Sequence, residues 1–360
     1  PYTTLFRSDI KGLGVKVRST LTANLDHTSF SMNSSGVVLH DGNVPFRCMG
    51  TGSARLAVAA LQSVEAAQRK FLLVHKNEYG LEPHRISLLV SHLRKRVETS
   101  GQVFLTTHST SVLREVRFGE VFVCRQDATG KTEVKASSAT DTPHLEAQRY
   151  VRHLGEALLT KSVLVCEGQT EVALLKGYAE GTQNQFQRFN VTVIDGGGSS
   201  APAVALHFAK LGYRTALLTD SDSPLSPAYL SSLKAAGIPH FEWGDDRCTE
   251  EELFIATPLD LRKKLLTLIA EEVDERRVLG ELAGPLKTKS ESLDQLFACL
   301  EDATKLRAIG HTAHKSQWIK TNFDLCFRIG ATLLATPGAL GVGHFGFVLS
   351  EIFTWLCDDV

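Results

Sequence analysis

Residues 162–171, SVLVCEGQTE, and residues 217–224, LLTDSDSP, decide how this chain folds. Each joins a short apolar run, the length of a buried strand, to carboxylates. After the first comes a helical pattern, TEVALLKGYAEG, and between the two stand a further strand pattern, VTVID (191–195), a glycine turn, DGGGSS (195–200), and a helical run, APAVALHFAKLG. Strand, helix, strand, helix, strand at this spacing predicts a parallel sheet with right-handed crossovers.

In such a sheet, functional residues collect at the carboxyl ends of strands. Glu167 and Gly168 directly follow the first strand, Glu171 lies one helical turn further, and Asp220 and Asp222 follow the third strand as Asp-Ser-Asp. Carboxylates brought this close repel by several kcal/mol unless a cation sits between them. Ligands that are all oxygen favour Mg²⁺ or Mn²⁺ over zinc. Phosphoryl-transfer enzymes use such clusters to hold metal ions that activate a nucleophile and stabilise the leaving oxygen. A metal-free α/β domain with solvated loop carboxylates is the alternative, but a generic fold does not require the joint pattern. Asp195 reads as a turn residue.

VLVCEGQTE, the glycine turn and LLTDSDSP together resemble the Toprim fold of topoisomerases, primases and small nucleases. The Glu-Gly-x-Thr-Glu form with Asp-x-Asp, followed by CTEEELF (248–254) and WIKTNF (318–323), is most similar to OLD-family (overcoming lysogenization defect) ATP-dependent endonucleases. The resemblance covers about 160–330. It implies that Glu167, Glu171, Asp220, Asp222 and Glu250 bind metal. It also implies that Glu167, Asp220, Asp222 and Lys320 carry catalysis, with Lys320 offsetting charge on phosphate, and that Gly168, Thr170 and Gly197 support the turns. For Glu250 and Lys320 an ordinary exposed charge is the competing reading, since Glu251 and Glu252 flank one and Lys315 lies near the other. Trp318 could support the active site or simply pack in a core.

Upstream, short β-prone runs between Val15 and Arg47 predict an antiparallel meander. A Gly-Thr-Gly turn (50–52) then leads into an Ala-rich helix, Ser53 to Lys70. Strand FLLV (71–74), a helix near Pro83 to Glu98, strand VFLTT (103–107) and a hairpin at 120–136 follow. KASSATDTP (135–143) reads as a linker and His144 to Leu159 as a helix. The expected organisation is therefore 9–135 as the C-terminal part of an ATPase domain and 136–159 as linker and helix. A Toprim domain at 160–250 and a mostly helical region at 251–360, ending in the apolar run FGFVLSEIFTWLC, complete it.

Within the first half, GTGSARLAVAAL resembles the signature helix of ABC-type ATPases, EYGLEPHR the D-loop and FLTTHST the switch-histidine strand. The resemblance implies that Ser53 and His108 meet ATP across a homodimer formed by the ATPase lobe. Two departures follow. No Gly-x-x-x-x-Gly-Lys-Ser/Thr occurs, so the phosphate-cradling loop is expected in a missing N-terminal segment, and ATP would bind only in a complete protein. Where the family places its Walker B acids stand His75 and Lys76. A lysine cannot replace a metal ligand, so either the ATPase is degenerate or the sequence errs there, His and Lys each being one base from Asp and Glu. Glu78 belongs to the next turn.

Composition sets outer limits. With 360 residues, 43% of them hydrophobic and 22% charged, the chain can bury a core in more than one domain. Pro1 to Ser8, PYTTLFRS, read as translated adapter sequence. Seven scattered cysteines without a Cys-x-x-Cys pair read as reduced and mostly buried. No membrane-length apolar run or secretory pattern occurs, so a cytoplasmic protein is expected. A net charge of −1 excludes a general basic coat, leaving local patches or metal to contact nucleic acid. The basic run SHLRKRVE (91–98) reads as a solvated face. The expected function is metal-dependent cleavage of DNA in phage defence or repair. A strand-passage or primase enzyme is the second reading, disfavoured by the lack of a topoisomerase-like tyrosine region or zinc motif. A non-catalytic binding module with a decayed ATPase is the third.

Overall fold

A computed structural model describes residues 21–25, 37–45, 48–65, 71–76, 78–99, 101–126, 129–137, 155–183, 186–244, 246–288, 290–320, 322–336 and 344–357. The chain divides into two units, one formed by 1–122 with 136–155 and the other by 123–135 with 156–360. Most of the expected linker and of the helix at 144–159 lies outside the described residues; only the turn at Ala157–Leu159 is seen.

In the first unit, β1 (Leu21–Leu25), β2 (Val37–Asp41) and β3 (Val44–Pro45) form an antiparallel sheet, as the alternation of β-prone runs and turns predicts. Helix α1 (Thr51–Glu65) starts two residues earlier than expected, and residues 66–70 of the expected helix lie outside the described residues. It buries Leu56, Ala57, Ala59 and Ala60. Its first turn needs glycine, because a Cβ on Gly52 would lie 2.5 Å from the carbonyl oxygen of Gly80. Strands β4 (Phe71–His75) and β5 (Gln102–Thr106) pair in parallel, joined by crossover helix α2 (Pro83–Thr99), and the short helix α3 (Thr110–Glu115) follows β5. Alternate residues face inward: Leu72, Val74, Val103 and Leu105 pack with Leu56, Leu89 and Leu93. On the basic helix, Arg94 is paired with Glu120 at 2.6 Å.

The second unit begins with most of a hairpin, β6 (Phe122–Gln126) and β7 (Thr132–Ala136). The sequence reading assigned it to the first domain. Its Arg125 instead stacks over the Tyr213 ring at 3.9 Å and donates to the carbonyls of Thr160 and Lys161. The sheet behind it is parallel, β8 (Ser162–Cys166), β9 (Val191–Asp195), β10 (Arg214–Thr219) and β11 (His240–Glu242), in the order β11-β10-β8-β9. Helices α4 (Gln169–Gly181) and α5 (Ala201–Lys210) supply the crossovers. Every residue of β8 is buried, the pattern of a central strand covered on both faces. The chain leaves β8 for β9 on one side and returns to β10 on the other. A crevice therefore opens at the carboxyl ends of β8 and β10, the switch point where α/β sheets bind ligands.

The remainder is helical: α6 (Pro227–Ala235), α7 (Thr249–Ala256), α8 (Leu259–Val273), α9 (Glu275–Leu286), α10 (Leu293–Phe297), α11 (Ala303–Lys315), α12 (Phe323–Arg328) and α13 (His344–Cys357). The apolar tail packs as core, with Phe345, Ile352 and Leu356 buried. Where α12 runs on into a π-helical turn (Ile329–Leu334) it touches α4 backbone to backbone. A Cβ on Gly177 would lie 2.1 Å from the Phe327 oxygen, and one on Gly330 would lie 2.2 Å from the Leu174 oxygen. Of the cysteines, Cys166, Cys248, Cys299 and Cys326 are buried and free, while Cys48 and Cys124 are exposed. Among the described residues no helix is long and apolar enough to cross a membrane.

Candidate metal centre

Glu167 begins the site because β8 ends there. Its N–H donates to the Leu218 carbonyl of β10 at 2.9 Å, and its Oε2 accepts the Asp220 N–H at 3.0 Å. One residue on, the Gly168 N–H donates to Glu171 Oε2 at 2.8 Å. A glutamate three residues after a helix cap reaches back to a free backbone donor, which explains the Glu-Gly-x-Thr-Glu spacing locally. The glycine turn closes under Glu167: Gly198 N–H donates to its carbonyl at 2.7 Å, and Gly196 N–H to that of Cys166 at 2.8 Å. Gly197 sits at φ 78° and donates to Asp195 Oδ1 at 2.8 Å, so Asp195 holds the turn. The tightest position is Gly196, which sequence reasoning did not single out. A Cβ there would meet Ala201 Cβ at 2.4 Å and the Cys166 oxygen at 2.9 Å.

Thr249, also missed, links the carboxylates. Its Oγ1 lies 2.7 Å from Glu171 Oε1 and 2.8 Å from Asp220 Oδ1, its N–H donates to Asp220 Oδ1 at 3.0 Å, and Trp243 Nε1 donates to its Oγ1 at 2.7 Å. A hydroxyl has one proton to give. With the indole N–H already pointing at Oγ1, both short contacts to carboxyl oxygens are hydrogen bonds only if one carboxyl brings a proton. The electrostatics agree. Burial, then the charge of Glu171, push the Asp220 carboxyl up to about 8 against the help of Thr249, with Glu167 and Glu250 adding to the rise. Glu171 is raised chiefly by burial, with Glu250 adding, against hydrogen bonds from Thr249 and Gly168. Oxygen ligands held at a protonation cost in a closed crevice fit a divalent cation, which would replace the proton.

The run Thr249-Glu250-Glu251-Glu252 departs from expectation. A flanking acidic run suggested exposed charges, yet all three glutamates are buried, each with its own basic partner. Glu250 Oε2 meets His314 Nδ1 at 3.0 Å, Glu251 meets His311 at 3.4 Å and Arg307 at 3.7 Å, and Glu252 meets Arg247 at 3.0 Å. Burying a carboxylate demands such pairing. His314 was not foreseen, its partner lying 64 positions upstream. Its hydrogen bond to Glu250 raises the imidazole pKa against burial; the positive field of Lys320 opposes the rise and Asp222 favours it. Asp222 and Lys320 are themselves exposed. Thr170 is buried, its hydroxyl 3.5 Å from the Lys320 carbonyl. Trp318 is core, donating to Glu281 at 2.5 Å. The fold thus bonds Glu167, Glu171 and Asp220 into one network. Glu250 lies within electrostatic reach of it, and Asp222 and Lys320 border His314.

The first unit gathers a separate set at the ends of β4 and β5. His75 Nδ1 bonds Thr106 Oγ1 at 2.8 Å, and Lys76, at φ 46°, receives Arg55 on its carbonyl at 2.9 Å. Glu78 Oε1 accepts from Thr107 Oγ1 at 2.7 Å, and Ser53 Oγ accepts from Arg85 at 3.2 Å. His108 is exposed in the loop after β5.

A parallel sheet whose switch-point crevice holds clustered carboxylates, with a helical region supplying the closing residues, defines an α/β domain with an acidic crevice whose oxygen donors suit a divalent cation. Residues 158–222, from the turn before β8 to Asp222, match the family "Overcoming lysogenization defect protein-like, TOPRIM domain", and the chain therefore carries an OLD-like Toprim domain. Solved structures with local similarity include the C-terminal region of the Xanthomonas campestris pv. campestris OLD protein, 17% identical, covering 54% of this chain and 100% of that one at a TM-score of 0.29. The C-terminal region of the Burkholderia pseudomallei OLD protein is 18% identical over 47% and 95% of the two chains, TM-score 0.27. A structure described under ATP-driven dimerization and DNA-stimulated activation of SMC ATPases is 14% identical over 38% and 86%, TM-score 0.26. No curated protein matches the chain.

Proposed function

We propose that the second unit is a metal-dependent endonuclease that hydrolyses DNA phosphodiester bonds. The observation that carries the reading is the Glu171–Thr249–Asp220 contact, two buried carboxyls held by one hydroxyl at 2.7 and 2.8 Å where a cation would relieve their repulsion. Glu167, Glu171, Asp220 and Asp222 would hold Mg²⁺ or Mn²⁺, with Glu250 beside them. Bound there, such ions activate a water and stabilise the leaving oxygen. Backbone N–H groups of Gly168 and Asp220 orient the Glu171 and Glu167 carboxylates, and Thr249 keeps Glu171 and Asp220 facing one space. Lys320, exposed beside His314, would offset negative charge on a scissile phosphate.

Nicking of supercoiled plasmid tests this reading. Divalent metal should support nicking, and Asp220→Ala should abolish it while circular dichroism stays unchanged. Metal-independent cleavage, or full activity in that variant, would sink the assignment.

The first unit fits part of an ABC-type ATPase that dimerises and couples ATP to nuclease action in phage defence or repair, in the cytoplasm. One observation favours a degenerate site as a second reading: His75 is tied to Thr106 and Lys76 takes a left-handed backbone where metal-binding acids are needed.

A further inference from the structure

Cys248, Glu250 and His314 bring three kinds of donor to one place. A thiol sulfur, a carboxylate oxygen and a ring nitrogen all lie within 4.8 Å of one another. Cys248 and Glu250 are each only 3% exposed and sit at the start of α7. His314 comes from the end of α11, which crosses α7 so closely that a Cβ on Gly310 would lie 2.5 Å from Glu251 Cα. The triad is therefore held by backbone packing. Its imidazole is 28% exposed, giving an ion a route in from solvent.

We propose that Cys248, Glu250 and His314 form a site for a borderline-soft divalent ion of the zinc and cobalt class, distinct from the all-oxygen cluster of Glu167, Glu171, Asp220 and Asp222. Sulfur and imidazole donors disfavour Mg²⁺, which demands an oxygen octahedron, and favour Zn²⁺ or Co²⁺. Three protein donors leave a tetrahedral ion a fourth position for water or a phosphate oxygen. Zinc-bound donors lie roughly 2.0–2.3 Å from the metal and so roughly 3.5 Å from one another, a contraction of about an ångström for the widest pair. The proton between Glu250 Oε2 and His314 Nδ1, 3.0 Å apart, and the thiol proton would both pass to solvent on binding. Burial pushes the Cys248 thiol up against the Glu251 N–H that points at it, with the charges of Glu250, Glu251 and Asp220 adding to the rise, so the thiolate forms only with the ion in place. This deepens the nuclease reading by making the centre a mixed-metal one, and it rests on that reading only for its purpose.

Cobalt reports the site without any nuclease assay. Co²⁺ added to the metal-free full chain should give a sulfur-to-cobalt charge-transfer band together with the visible bands of tetrahedral cobalt, and one equivalent of Zn²⁺ should bleach both. Cys248→Ser should remove the charge-transfer band. His314→Ala should weaken cobalt binding by more than the roughly 10- to 100-fold that losing even an outer-shell partner costs. Asp220→Ala should lose nicking and keep the band, which separates the two readings. Should Cys248→Ser fail to fold, X-ray absorption at the cobalt edge of the unmutated chain decides, with sulfur and nitrogen neighbours expected. An oxygen-only shell, or a band that survives Cys248→Ser, overturns the proposal.

Discussion

Replacing Asp220 with asparagine takes one negative charge out of the buried pair while keeping its shape. The Asp220 carboxyl, raised from 3.8 to about 8, binds a proton in the folded chain that the unfolded chain has already lost across this window. The sign follows: without metal, stability is fully present below about pH 4, falls as pH rises, and flattens above pH 8. At about 1.4 kcal/mol per pH unit, a rise of about four units corresponds to ~5–6 kcal/mol. Glu171 shares the same hydroxyl and much of the same penalty, so about half, ~2–3 kcal/mol, is assigned to Asp220. For a unit of this size 1 kcal/mol moves the melting temperature by about 2–4 °C. Metal-free Asp220→Asn should therefore melt about 4–12 °C above the unmutated chain at pH 8, with a much smaller difference at pH 5. Mg²⁺ or Mn²⁺ should raise the melting temperature of the unmutated chain at pH 8 and leave the variant unmoved. Melting curves at the two pH values, with metal and with chelator, make the measurement. Parallel pH profiles in both proteins, or equal stabilisation by metal, would refute the argument.

Three further outcomes are expected. Thr249→Val removes the hydroxyl between Glu171 and Asp220 and should weaken divalent-metal binding, read by calorimetric titration, by roughly 10- to 100-fold, with Thr249→Ser restoring it; equal affinity in all three would make Thr249 a packing residue only. Lys320→Ala should slow nicking by about 10²-fold or more with little change in DNA affinity, and an unchanged rate would move attention to Lys315. Phosphate release from ATP should stay at background for this chain, and ATP should not alter nicking. With a phosphate loop supplied on the same chain, hydrolysis should still await His75→Asp and Lys76→Glu, and equal rates without those changes would shift the carboxylate role to Glu78.

The sheet was legible because parallel strands buried on both faces leave a local signature. SVLVC, VTVID and TALLTD are short apolar runs set off by turn residues and helices, and each became a strand within a residue of its expected bounds. The carboxylates were legible for the same reason, since Glu167 and Asp220 sit where strands stop. The bonds that bind them were not. Thr249 lies 78 positions from Glu171 and 29 from Asp220, and although it stands in the CTEEELF segment, no local spacing shows that its hydroxyl reaches both carboxylates. The seat of the 123–135 hairpin also depends on a partner distant in sequence, Tyr213 for Arg125.

The three glutamates after Thr249 show why the site's depth could not be read along the chain. Three adjacent acids read as a solvated run, because burial of each costs several kcal/mol unless a cation answers it. The answering basic side chains come from different directions: Arg247 from just upstream, Arg307 and His311 from the outer turns of α11, and His314 from its last turn. Residues 307, 311 and 314 are spaced by four and three, one stripe of a helix. That stripe is visible in the sequence once α11 is known to cross α7. Of the three, only Glu250 faces the crevice side, where its charge reaches Glu171 and Asp220. Glu251 and Glu252 are held by side chains that carry a charge of their own or gain one on protonation, so they serve to fix α7. Glu251 too has an imidazole partner in His311, so what sets Glu250 apart is its place: its charge reaches Glu171 and Asp220, and the proposed nuclease site gives it a part for that reason.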